Sequence, residues 1–542
     1  MIRKQTNDRT TNRRRPKLWH NCTNFRTLKQ IHASMVVNGL MSNLFVVREL
    51  IYSASLLAPG ALKYAHKLFD EIPKLDVSIC NHVMRGTAQS MKPEKTISLY
   101  SEMEKRGVSP DRYTFTFVLK ACSKLEWRYN GFAFHGKVVR HGFVYNEYVK
   151  NALILFHANC GDLGIASELF DASAKAQKVA WSSMTSGYAK RGKIYEALRL
   201  FDEMPEKDQV AWNVMITGCL KCKEVDTARE LFDRFTEKDV VTWNAMISGY
   251  VNCGYPREAL SIFMEMRDAG EHPDIVTMLS LLSACAVLGD IETGKRLHLY
   301  ILEMASVSSS IHVWAPIWNA LIDMYAKCGS IDRAIEVFRG MKNRDLSTWN
   351  TLIFGLALHH AEGSIKMFEE MQKLKVWPNE VTFIGVILAC SHSGRVDEGR
   401  RYFSLMKDMY NIEPNIKHYG CMVDMLGRAG LLDEAFMFVK SMKIEHSAIV
   451  MRTLLGACKI YGNVELGKYA NEKLLSMRKD ESGDYVLLSN IYASTGQWEG
   501  VQKVRKMFDD TRVKKPTGIS LIEEDNDKLM MQYLLSSEPE SK

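Results

Sequence analysis

A Trp-Asn phrase keeps returning along this chain. It reads "AWNVMITGCLKC" from Ala211, "TWNAMISGYVNC" from Thr242, "IWNALIDMYAKC" from Ile317 and "TWNTLIFGLALH" from Thr348, with "AWSSMTSGYAKR" from Ala180 as a variant. Trp181, Trp212 and Trp243 stand 31 residues apart, and so do Trp318 and Trp349, while other copies run near 35. A fixed period of that size constrains the fold more than any composition does, because each copy must be one supersecondary unit stacked on its neighbours.

The unit is two helices. In the copy from Val240 to Asp274, Trp243, Met246, Ile247 and Tyr250 fall at i, i+3, i+4 and i+7, which makes one apolar helical face. Gly254 stops this helix and Pro256 suits the first turn of the next. The second helix, "PREALSIFMEMRDAG", places Ala259, Leu260, Phe263 and Met266 on one face, and Gly270 ends it. A lone hairpin cannot bury such stripes, whereas a stack can. The expected fold class is therefore all-α, a right-handed α-solenoid of stacked helix-turn-helix repeats, with the first helices lining a concave groove.

Charge and cysteine usage fit this picture. The formal net charge is +8, of which residues 1–20 supply seven Lys/Arg against one acid, or +6, leaving about +2 for the rest. Net charge alone thus does not announce a nucleic-acid binder. The first segment is Arg-rich and acid-poor with no apolar core, which suits a mitochondrial transit peptide or a disordered basic tail. No uninterrupted apolar window is long enough for a membrane span, so no membrane partner is expected. Of the 12 cysteines, Cys122, Cys285, Cys390 and Cys458 share one phrase type and Cys160, Cys253 and Cys328 another. They follow the repeat as small buried residues do, and not a bridging scheme.

"VTWNAMISGYVNCGYPREALSIFMEMRDAGEHPD", "NALIDMYAKCGSIDRAIEVFRGMKNRD" and "VTFIGVILACSHSGRVDEGRRYFSLMKDMYNIEPN" resemble pentatricopeptide repeats in the mixture of lengths typical of the plant P-L-S subclass. The resemblance implies an array of about 12 copies over residues 22–447. It continues through "LLGACKIYGNVELGKYANEKLL" and "SGDYVLLSNIYASTGQWEGVQKVRKMFDDTRVKKPTGIS", which are similar to the subclass's E-type motifs, over residues 449–523, before a tail at 524–542. Met451 and Leu521 stand where that pattern has Trp.

Two columns carry polar groups. The first is the residue of the opening phrase: Asn81, Thr116, Asn151, Ser182, Asn213, Asn244, Leu279, Asn319, Asn350, Ile384 and Gly420. Eight of these eleven are Asn, Thr or Ser, which are mediocre helix formers. The second column is the last residue of each copy: Asp111, Asn146, Gln177, Asp208, Asp239, Asp274, Asp345, Asn379 and Asn415. Either column could serve as helix caps. The resemblance implies instead that they act in pairs, one pair per base of a single-stranded RNA. Asn offers donor and acceptor to a base edge, while Asp only accepts.

Carried over residue by residue, the family's pairing implies a target running 5′ to 3′ along the chain. Asn81 with Asp111 implies uridine, Thr116 with Asn146 adenine, and Ser182 with Asp208 guanine. Asn151 with Gln177 implies no clear letter. Asn213 with Asp239, Asn244 with Asp274 and Asn319 with Asp345 imply uridine, and Asn350 with Asn379 a pyrimidine. Leu279, Ile384 and Gly420 depart from the readable set. Val179, Val210 and Val241, three residues before the first column, either pack on a base or fill the interior; Ser78 holds that place in an early copy.

The sequence offers little to an enzyme. Cys219-Leu-Lys-Cys222 is a single CxxC where zinc wants two pairs, and His360-Ala-Glu362 has no P-C-x-x-C after it. No catalytic residue, metal or cofactor is expected. The subclass with a deaminase-like domain ends in Asp-Tyr-Trp, whereas this chain ends "SSEPESK". The resemblance therefore implies a non-catalytic site-recognition factor for cytidine-to-uridine editing of organellar RNA, mitochondrial or else chloroplast, with a deaminase-bearing protein acting in trans. An RNA binder for transcript stability, splicing or translation, and a protein-binding helical scaffold, are the alternatives.

Overall fold

The computed structural model describes residues 24–57, 60–72, 75–172, 178–307, 314–359, 361–442, 447–477 and 482–509. The basic segment 1–20 and the tail 524–542 fall outside the described residues. Among those described there are α-helices and short 3-10 and π turns but no strand, as the period requires. The chain divides into two compact units, residues 1–249 and 250–542.

Each unit is a stack of antiparallel helical hairpins. In the first, Val77–Gln89 pairs with Glu94–Lys105, Arg112–Leu125 with Arg128–Arg140, Glu147–Asn159 with Leu163–Asp171, Lys178–Lys190 with Ile194–Glu203, and Gln209–Lys221 with Val225–Arg234. In the second, Ile275–Leu288 pairs with Ile291–Val307, Ala315–Lys327 with Ile331–Gly340, Leu346–His359 with Ala361–Lys373, Glu380–Ser393 with Val396–Asp408, and Ile416–Arg428 with Leu432–Lys440. Ala448–Tyr461 with Val464–Ser476, and Ser482–Ser494 with Trp498–Asp509, continue the same pattern. Every first helix packs on its own partner and on the first helices of adjacent hairpins in its unit.

The apolar faces read from the sequence are the buried ones. Trp243, Met246, Ile247 and Tyr250 are 6% exposed or less, as are Ala259, Leu260, Phe263 and Met266. Gly254 lies in the left-handed region at φ 88°, and Pro256 opens the following helix. The recurring tryptophan proves to be a packing device. Phe170–Trp181, Phe201–Trp212, Phe232–Trp243 and Phe338–Trp349 are edge-to-face pairs with centroids 4.8–5.0 Å apart. Each Phe comes from the second helix of one hairpin and each Trp from the first helix of the next, so the pair bolts consecutive copies together.

Close approach of the first helices depends on small residues. A Cβ placed on Gly187 would lie 2.5 Å from Ala158 Cβ, and one on Gly218 2.8 Å from Ala189 Cβ. Gly355 meets Ala326 in the same way at 2.6 Å, and Gly427 meets Ala457 at 2.5 Å. All eleven cysteines among the described residues are free thiols. Cys122, Cys285, Cys390 and Cys458 are fully buried, whereas Cys160, Cys253 and Cys328 are only half-buried, near the hairpin turns.

Candidate nucleic-acid interface

The last-residue column sits at helix starts. Asp111, Asn146, Asp208, Asp274, Asn379 and Asn415 are N-caps with extended backbones. Asp239 and Asp345 do the same work, accepting from the Thr242 and Thr348 backbone N–H at 2.8 Å. The capping role is therefore real. It is also one-sided: in Asp111 and Asp345 every hydrogen bond seen to the carboxylate goes to Oδ1. In those two, Oδ2 is left without a protein partner among the described residues. Gln177 lies outside the described residues.

The first column lies one helical turn in. Asn81, Thr116, Asn244 and Asn350 are each 7% exposed, while Asn151, Ser182, Asn213 and Asn319 are half-buried. The structure ties several of these to the next cap. Asn81 Nδ2 donates to Asp111 Oδ1 at 2.9 Å, and Asn350 Nδ2 donates to Asn379 Oδ1 at 3.0 Å. Asn213 bonds the Asp239 carboxylate: burial pushes that group up, but the Thr242 and Asn213 hydrogen bonds outweigh it and hold it below the usual carboxylate range. In two further copies the hydroxyl turns back on its own helix. Thr116 Oγ1 donates to the Arg112 carbonyl at 2.8 Å, and Ser182 Oγ to the Lys178 carbonyl at 3.1 Å, each inside its own helix. Asn319 Oδ1 is buried without a partner among the described residues, and so is Asn213 Oδ1.

One column escaped the sequence reading. A threonine at the third helical position, Thr114, Thr242, Thr277, Thr348 or Thr382, is fully buried. Thr114 Oγ1 reaches Asn81 Oδ1 at 2.8 Å, and Thr382 Oγ1 reaches Asn350 Oδ1 at 2.6 Å. The signal was present as D-x-x-T or N-x-x-T, a capping-box spacing.

The valines settle one open alternative. Val179, Val210 and Val241 are 60–62% exposed, so they do not fill the interior; the stripes that do lie elsewhere on the same helices. Val276 and Val381 continue the exposed set. Ser78 stands in this register in an early copy, and Tyr113 and Tyr148 hold it in the next two, with ring centroids 6.2 Å apart. In the second unit, Asn319, Asn350, Asn379, Asp323 and Val381 share the wall of an open cleft of about 670 Å³. Three consecutive hairpins thus present amides and an apolar side chain to one concavity.

The departures are local. Ile384 is half-buried, and Gly420 faces open space, so no packing demand explains the glycine. In the C-terminal hairpins Arg452 holds the Asn register and Asp484 the Thr register. Arg452 Nε donates to both Asp484 oxygens at 3.0 and 3.2 Å, and Asp484 is 2% exposed. An ion pair replaces the amide there.

Cys219, of the single CxxC, is buried, and desolvation pushes its thiol up to about 12. Among the described residues no group of three His, Cys, Asp or Glu could hold a metal ion, and His360 lies outside them. Among the same residues no helix is long and apolar enough to cross a membrane.

Residues 75–124 and 238–287 match the PPR repeat family, and 179–208, 210–240, 316–346, 381–410 and 410–443 match the PPR repeat. Residues 461–523 match the E motif. A pentatricopeptide repeat-containing protein of Arabidopsis thaliana, At5g15300, is 91% identical over 542 residues, covering 100% of this chain and 99% of that relative. A second Arabidopsis thaliana pentatricopeptide repeat-containing protein is 40% identical, over 93% of this chain and 88% of its own length. The crystal structure of the pentatricopeptide repeat protein PPR10 in complex with an 18-nt psaJ RNA element is 17% identical, with TM-score 0.43, covering 89% of this chain and 79% of that one.

Proposed function

Since the chain belongs to the pentatricopeptide repeat family, we propose that it binds single-stranded RNA sequence-specifically, reading one base per hairpin with the Asn and cap columns. The observation that carries this reading is the paired geometry. A cap residue commits Oδ1 to its helix and receives the amide of the preceding hairpin, as in Asn81–Asp111 and Asn350–Asn379. Each such pair offers an N–H donor and a free acceptor lone pair beside an exposed valine or tyrosine. Hydrogen bonding to a base edge and apolar contact with its face is what modular RNA readers use. A peptide groove would instead need apolar anchors in the first column.

The E motif at residues 461–523 supports the finer reading, a site-recognition factor for cytidine-to-uridine editing in a plant organelle, with the deaminase supplied in trans. The basic, acid-poor residues 1–20 support a mitochondrial address. The test of binding is fluorescence anisotropy with synthetic RNA in the order 5′-UANGUUNUY-3′, where N is any base and Y a pyrimidine. The matched strand is expected to bind at least about tenfold tighter than a scrambled one at the same salt. Equal affinity for both would reject base reading. Loss of the gene should abolish editing at one cytidine; altered transcript ends with editing intact would point to transcript protection instead.

A further inference from the structure

We propose that the buried threonine at the third position of each following hairpin is a third specificity-determining residue, one that sets the orientation of the preceding Asn amide. This rests on the base-reading function above.

The geometry is a closed ring. Asp111 Oδ1 is fixed by the Tyr113 and Thr114 backbone N–H groups, both at 2.9 Å. That acceptor draws Asn81 Nδ2 toward itself, and Thr114 Oγ1 donates to Asn81 Oδ1 from the other side. The same ring joins Asn350, Asn379 and Thr382. An amide turned over would set Oδ1 against an acceptor and lose the threonine bond. With one N–H and one lone pair spent inside the protein, the other N–H and lone pair point to the base in a fixed order, and that order distinguishes one base edge from another. In both rings the hydroxyl also lies within reach of the cap, Thr114 of Asp111 Oδ1 at 3.0 Å and Thr382 of Asn379 Oδ1 at 3.1 Å, but it sits closer to the amide oxygen. At Asn213 and Asn319 only the cap contact is seen, Thr242 to Asp239 at 2.7 Å and Thr348 to Asp345 at 2.9 Å, and the amide oxygen is left without a partner among the described residues. The hydroxyl thus chooses between two acceptors.

A second observation is independent of these distances. Of the six Asn in the first column, five (Asn81, Asn213, Asn244, Asn319, Asn350) are followed by Thr in the next hairpin: Thr114, Thr242, Thr277, Thr348 and Thr382. Behind the five columns that are not Asn stand Val149, Ala211, Ile317, His418 and Val450, none of them Thr. Capping does not explain this pattern. Asn146 and Asp208 cap their helices well with Val149 and Ala211 at that position, and both follow a reader that is not Asn. The threonine goes with the amide and not with the cap. Asn151, followed by Ala180, is the exception and should be the lax reader among the asparagines.

The experiment uses the full chain and synthetic RNAs that differ only in the letter read by Asn81, uridine or cytidine. Thr114→Val should reduce the preference for uridine at that letter about fivefold, the value of one neutral hydrogen bond, and leave the other letters unchanged. Thr114→Ser should restore it. Thermal melts of both variants separate a cap effect from a reading effect, because lost stability alone would weaken every RNA alike. Unchanged preference in Thr114→Val overturns the proposal, as does a loss spread evenly over all letters. A wild-type chain with no preference at any letter overturns the base-reading function itself, and this proposal with it.

Discussion

At the scale of single residues, a helix cap and a base contact look like rival explanations of one aspartate, and under the proposed base reading they are compatible, since the structure puts the cap bonds and the neighbouring amide on the same oxygen of Asp111. The cap holds Oδ1 in place, and that rigidity is what makes a neighbouring amide's orientation definite. Asp111 tests the two roles separately. Asp111→Ala removes both and should cost about 1 kcal/mol of stability along with letter preference at that step. Asp111→Asn keeps a good cap, so the melting temperature should hardly move while preference shifts from uridine toward either pyrimidine. Circular dichroism melts beside RNA titrations would show the two effects parting. If both variants lost stability and selectivity together, the division of labour between the two carboxylate oxygens would be wrong.

Between elements, the Trp of each Trp-Asn phrase and the Asn beside it face different tasks. The indole grips the preceding hairpin's Phe, and the amide turns to the groove. Phe232 is 1% exposed against Trp243 at 5.0 Å, so Phe232→Ala should destabilise the first unit by about 3–5 kcal/mol. The turn between the helices ending at Lys221 and beginning at Val225 carries a different strain. Most equivalent turns place glycine in the left-handed region, as Gly192 does at φ 73°, but here Lys223 sits at φ 64°. Lys223→Gly should therefore raise stability by up to about 1 kcal/mol, read as a higher denaturant midpoint with an unchanged slope.

Over the whole molecule, the buried titratable groups set the response to pH and to thiol reagents. His157 is fully buried against Phe132, Phe156 and His135, and desolvation first, then neighbouring His135, lowers its pKa to about 4. A depressed folded value means that the unfolded chain takes up the proton first. Its contribution is thus complete above the ordinary histidine value of about 6.5 and is lost as pH falls toward about 4. Melting temperature should fall across that window, and less steeply in His157→Gln. Burial likewise pushes the Cys80, Cys122, Cys219 and Cys390 thiols up to about 12. At pH 8 a thiol reagent should reach the half-buried Cys222 and Cys253 first and those four only on unfolding, with mass spectrometry of labelled peptides giving the order.

By itself the sequence determined the period, the hairpin, its buried stripes and the two polar columns, since all of these follow from local spacing: 3.6-residue faces, glycine turns and the polar residues that start helices. It could not say whether Val179, Val210 and Val241 point inward, because a valine beside an apolar stripe reads alike on either side of its edge. Nor could it show that Asn81 bonds Asp111 while Thr116 turns back on its own helix, or that a buried Thr114 closes the ring. Those outcomes depend on where one hairpin lands on the next. That placement is set by Phe–Trp pairs such as Phe201 on Trp212, 11 positions apart, and by Gly–Ala contacts such as Gly218 on Ala189, 29 positions apart. Local pattern fixed what each copy offers, and packing between copies decided which side chains meet.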